Sequence, residues 1–118
     1  MLVDYSNIKH IYLMAGKTDL RLGIDGLALR VQEKYQLDLY DEAVFLFCGN
    51  RRDRFKILYW DNNGFYLIYK RLDTGVLQWP RHSDEAITLS NQQLRWLLEG
   101  LSIVQKTALK VGEKGRIF

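Results

Sequence analysis

The sequence predicts an α+β domain: an antiparallel sheet built around a long central hairpin and packed against two helices. Three observations lead there. Two β-rich runs, Arg54–Trp60 and Phe65–Arg71, flank an Asn-Gly pair, and Asn and Gly tolerate the positive φ that a tight hairpin turn needs. Two other segments carry apolar residues at three- and four-residue steps, the period of a helix lying on a core. Finally, Ala43–Cys48 is apolar throughout and too short for a helix, which suits a strand buried on both faces.

Taken in order, Ile8–Ala15 reads as the first strand. Gly16-Lys17-Thr18-Asp19 follows, and Thr18 or Asp19 can cap a helix beginning there. Leu20, Ile24, Leu27, Ala28, Val31 and Tyr35 share one face of that helix. Gly23 and Gly26 weaken it, each by about 1 kcal/mol relative to Ala, and are expected to let it approach the sheet closely. The central hairpin closes through Asp61–Gly64, and a further β-rich run, Val76–Trp79, is stopped by Pro80. Ala86–Leu89 reads as a short strand. Ser90 and Gln93 have capping-box spacing at the head of the second helix, Leu89 and Leu94 that of a hydrophobic staple, and Leu94, Leu97, Leu98 and Leu101 form its apolar stripe. Residues 1–104 are assigned to one domain and 105–118 to a basic, flexible tail.

Composition narrows the function classes. The 118 residues suffice for one domain with its own core. One Cys excludes an internal disulfide, which fits a reducing cytoplasm. No apolar run approaches the ~18 residues of a membrane span, and the first residues lack a signal-peptide pattern. Net charge is +3, and the stretch from Gly49 to Asp73 carries six Lys/Arg against three Asp, a net +3 by itself. Such a local excess permits nucleic-acid binding without demanding it.

Catalytic signals are weak. Gly16-Lys17-Thr18 has the end of a phosphate loop, but the full pattern needs a glycine where Ile11 stands. Lys17 and Thr18 are therefore retained only as a candidate site for a single anion. Cys48, His10 and His82 lie far apart, without paired ligand spacing, so no metal and no cofactor is expected. The acids fall mainly in turns and helix ends, and no nucleophile–base spacing stands out.

The hairpin is more informative. Paired residues share a face, and a two-residue or a four-residue connection pairs even positions of its first strand with odd positions of its second. Phe55, Ile57, Tyr59, Tyr66, Ile68 and Lys70 then form one face, the expected core side, with Tyr59, Ile57, Ile68 and Leu97 mostly buried. Arg54, Lys56, Leu58, Trp60, Phe65, Leu67, Tyr69 and Arg71 form the other. Arg51, Arg52, Arg54, Lys56 and Arg71 are expected to make one exposed positive patch bordered by Trp60 and Tyr69. Cations interleaved with aromatics serve single-strand binding, suit a protein interface, or simply protect a strand edge from aggregation; the pattern alone does not separate these.

Four stretches carry a family resemblance: IYLMAGKTDLRLGIDGLA (11–28), VFLFCGNRRDRFKILYWDNNGFYLIYKRL (44–72), LQWP (77–80) and LSNQQLRWLLEGLSI (89–103). The chain resembles the small TnpB-type proteins encoded by the second open reading frame of the insertion-sequence family numbered sixty-six. One departure is Leu20, where Met often follows the Lys-Thr-Asp motif. The resemblance implies a cytoplasmic accessory protein, not an enzyme, that is needed for efficient transposition. Its implied partners are the transposase, other element-encoded proteins and element DNA, and it assigns no catalytic residue. The alternatives are a stand-alone nucleic-acid-binding regulator and a metal-dependent nucleic-acid enzyme.

Overall fold

A computed structural model describes residues 8–105. The elements, in chain order, are β1 (His10–Met14), α1 (Ile24–Glu33), β2 (Ala43–Cys48), β3 (Arg54–Trp60), β4 (Phe65–Arg71), β5 (Ala86–Leu89) and α2 (Asn91–Leu98). They form a five-stranded sheet in the order β4-β3-β2-β1-β5. The chain folds as one α+β unit, and the sheet is mostly but not wholly antiparallel. β1 and β2 run parallel, with Ile11 opposite Val44 and Leu13 opposite Leu46. Parallel neighbours require a crossover connection, and α1 lies in it.

The central strand explains the unbroken apolar run. All six residues of β2 are buried. Val44, Leu46 and Cys48 join the core on one face with Leu13, Phe55, Tyr59, Trp79 and Leu97. Ala43, Phe45 and Phe47 join the other with Met14, Leu27, Val31 and Leu58. The sheet thus has a core on each side, with α1 contributing to the second and α2 to the first. Strand parity in the hairpin holds, and the loop is the four-residue one, with Trp60 opposite Phe65 and Lys56 opposite Tyr69. A single core side for the hairpin is corrected, however. Leu58 on the opposite face is fully buried, because α1 covers the apolar end of that face. Tyr59 and Leu97 are buried, whereas Ile57 and Ile68 are only partly so.

Five local expectations change. No helix begins at Thr18 or Asp19: α1 starts at Ile24, capped by the backbone of Gly23 with no side-chain cap. Gly23 has open space around its α-carbon, and a Cβ on Gly26 would meet the side chain of Leu22 rather than the sheet. Val76–Trp79 is not a strand. The Leu77 amide donates to the Arg52 carbonyl at 2.7 Å, and the Trp79 indole donates to Met14 O at 2.9 Å, so this segment crosses the core instead of extending a sheet edge. Leu98 and Leu101 stay 46% and 41% exposed, leaving Leu94 and Leu97 as the inward part of α2. In the hairpin loop the positive φ belongs to Asn62, at 83°, not to Gly64. The α2 cap matches its sequence signal: Gln93 N donates to Ser90 Oγ at 3.0 Å and Ser90 N to Gln93 Oε1 at 2.9 Å. Apart from Gln105, the expected basic tail lies outside the described residues.

Candidate nucleic-acid interface

The parallel pair sends two loops out of one end of the sheet: Ala15–Gly23 from the carboxyl end of β1, and Gly49–Asp53 from that of β2. They are fastened to each other. Thr18 N donates to Cys48 O at 2.8 Å. Arg81, reaching in from the segment before β5, donates through Nη1 to Gly16 O and through Nη2 to Gly49 O, both at 2.7 Å. The approach is close enough that a Cβ at position 49 would stand 3.1 Å from Leu20 Cγ and 3.2 Å from Thr18 O, so only glycine fits without a shift. Cys48 is buried beneath this junction, and burial pushes its thiol above the ordinary range.

These loops and the charged ends of β3 and β4 line an open cleft of about 820 Å³. Lys17–Arg21 and Gly49–Arg51 line one wall, and Arg54, Lys56, Leu67 and Tyr69 line the other. Its cations are held in different ways. Arg54 grips Asp53 through Nε at 2.8 Å and Nη2 at 3.2 Å, which holds the Asp53 carboxyl below its usual range. Arg51 lies 3.5 Å from the same carboxylate and keeps 69% of its side chain exposed. Asp19 accepts from the backbone amide and guanidinium of Arg21, and the Arg21 hydrogen bonds hold its carboxyl down at about 2. The Lys56 ammonium donates to Leu22 O at 3.1 Å and stands over the Tyr69 ring, 5.8 Å from its centre. Among the described residues, Lys17, Arg52 and Arg71 have no carboxylate within ion-pair distance.

A second depression of about 540 Å³ shares Lys17 and Asn50 with the cleft and adds Arg52, Arg81 and Asp84. The rim between the two is therefore basic on both slopes. Such a surface offers many N–H donors and a positive field to an anionic chain.

The model of the family described as "IS66 Orf2 like protein" matches residues 9–108. This chain belongs to the IS66 Orf2-like family. It is thus an accessory protein of an insertion sequence, from a family not known for enzymes. Two proteins of Sinorhizobium fredii (strain NBRC 101917 / NGR234) resemble it. "Uncharacterized protein y4hO" is 39% identical over 101 residues, covering 86% of this chain and 87% of its own. "Uncharacterized protein y4jC" is 34% identical over 83 residues, covering 70% and 71%. No solved structure matches.

In this IS66 Orf2-like fold, most of the residues singled out by sequence converge at one end. Arg51, Arg54, Lys56 and Tyr69 share the cleft with Lys17 and Thr18, although the sequence pattern alone makes them two separate sites. Arg52 lines the neighbouring depression, and Arg71 sits opposite Arg54 on β4. The patch is not uniformly exposed: Arg54 and Lys56 are partly buried, and Thr18 is only 3% exposed. Trp60 does not border it. It lies four positions along β3 from Lys56, about 13 Å at ~3.3 Å per residue, where it packs edge-on against Tyr40 and Phe65. Sequence reasoning counted Arg21 and Asn50 among the family's motif positions but not in a site, and it missed Arg81, which lines the neighbouring depression. Arg21 adjoins the Lys-Thr-Asp motif, and that adjacency is the signal that places it in the cleft with Lys17. Nothing in the local pattern links Arg81 to Gly16, 65 residues away.

Among the described residues, no group of three or more His, Cys, Asp and Glu is placed to hold a metal ion, and no helix is long and apolar enough to cross a membrane.

Proposed function

We propose that this accessory protein serves transposition of its element by binding nucleic acid along the basic rim of the cleft. The observation that carries the reading is convergence: cations from three separate segments, Lys17 and Arg21, Arg51–Arg54, and Lys56 with Arg71, stand at one end of the sheet. Asp19 and Asp53 pair with Arg21 and Arg54, whereas Lys17, Arg52 and Arg71 have no carboxylate partner among the described residues. The exposed cations Lys17 and Arg52 contribute little to folding and remain available for phosphates.

Fluorescence anisotropy with labelled element-end DNA over a range of salt concentrations tests this. Affinity should fall steeply with salt, and the double substitution Lys17→Ala with Arg52→Ala should reduce the log–log slope by about 0.9 for each duplex phosphate that is no longer neutralised. Unchanged melting would show that the variant still folds. The reading is overturned if the native protein shows no salt-dependent DNA binding. Loss of transposase binding in the same variant would then mark the rim as a protein interface.

A further inference from the structure

Resting on that reading, we propose that the cleft receives an unpaired strand, with phosphates on the loop-side cations and a base seated against Leu67 and Tyr69. Both kinds of surface line the cleft. Lys17, Arg21 and Arg51 present cations on the loop side and Arg54 and Lys56 on the strand side, while Leu20, Leu67 and Tyr69 add apolar surface. A duplex can use only the first kind of surface, because its base faces are already stacked on their neighbours and its phosphates point outward. An unpaired nucleotide can use both.

Tyr69 is suited to this. It lies beyond the part of the sheet that α1 covers and is 52% exposed, which leaves a large aromatic surface facing the cleft. Lys56 is held beside its ring by the Leu22 carbonyl, so that part of the cleft is organised before any ligand arrives. The cleft is open to solvent, and its volume of about 820 Å³ has room for a nucleotide or two rather than for a helix.

The test compares a labelled oligothymidylate of about 16 nucleotides, the upper site size for one small domain, with a duplex of equal length at matched salt. The full-length protein is used as wild type, Tyr69→Ala, Tyr69→Leu, Tyr69→Phe and Lys17→Ala. The single strand should bind more tightly. Tyr69→Ala and Tyr69→Leu should weaken it by about 5- to 150-fold with the salt slope unchanged, Tyr69→Phe should restore it, and duplex affinity should stay the same in all three. Lys17→Ala should instead flatten the salt slope by about 0.7 for the single strand. Equal binding of both nucleic acids, with no effect of the Tyr69 variants on either, overturns this inference and leaves the proposed function standing. Binding of neither nucleic acid overturns both.

Discussion

The ammonium of Lys56 and the ring of Tyr69 face each other across the β3–β4 pair, 5.8 Å apart. The same ammonium donates to Leu22 O in the loop entering α1, so this cation ties the helix to the sheet. Lys56→Ala should therefore cost about 1–2 kcal/mol, from a charged hydrogen bond, a cation–π interaction and stem packing. Arg52→Ala, at an exposed residue without a carboxylate partner, should stay within about 0.5 kcal/mol. Chemical denaturation distinguishes the two, and equal costs would show that Lys56 has no structural role.

Arg81 is the other tie. Its guanidinium holds the carbonyls of Gly16 and Gly49. Arg81→Ala should destabilise the fold by about 2–4 kcal/mol, because two charge-assisted hydrogen bonds disappear together. Arg81→Lys should recover less than half of that stability, since one ammonium cannot reproduce the fork. Full recovery by lysine in urea denaturation would show that charge alone matters at this position.

The hairpin loop makes a prediction opposite to its Asn-Gly signal. Asn62 holds φ 83°, while Gly64 has no positive φ and a Cβ there meets nothing within 4 Å. Gly64→Ala should change stability by less than about 0.5 kcal/mol. Asn62→Val should cost about 1–2 kcal/mol, because a β-branched residue resists the left-handed region. Thermal melts of the two variants decide the matter, and the reverse order would move the strained position to Gly64.

Core substitutions separate the two faces of β3. Leu58 is 0% exposed beneath α1, so Leu58→Ala should cost about 2–5 kcal/mol. Ile57, on the opposite face, is only partly buried, and Ile57→Ala should cost less than Leu58→Ala in the same denaturation experiment. A larger cost at Ile57 would mean that the helix-covered face is the less well packed of the two.

Acid should loosen the cleft. The Asp19 carboxyl is held down at about 2 by Arg21, against an ordinary 3.8, and Asp53 is lowered by Arg54. A depressed carboxylate stabilises the fold fully above its unfolded value and loses that contribution as pH falls through the folded one. Stability should thus fall between roughly pH 4 and pH 2 from Asp19, with Asp53 acting in the same direction. Asp19→Asn should flatten this part of the stability–pH curve and leave the slope above about pH 5 unchanged. An unaltered acid limb would show that the Asp19–Arg21 pair is solvated away.

The sequence by itself determined what local chemistry can specify. The Ser90–Gln93 box closes within three residues. The hairpin parity follows from side-chain alternation and survives either register. The unbroken apolar run of β2 announced a strand covered on both faces. Only the tertiary structure decided the rest. It placed β2 parallel to β1, kept residues 16–23 as a loop where capping residues suggested a helix, and carried Trp79 and Arg81 across the core to Met14, Gly16 and Gly49. It also merged Lys17 with the hairpin cations in one cleft and moved Trp60 out of their reach. The physical reason is range. Caps, turns and alternation are set by hydrogen bonds and sterics between near neighbours, whereas strand order and loop junctions are set by burial between residues far apart in the chain, which no local pattern records.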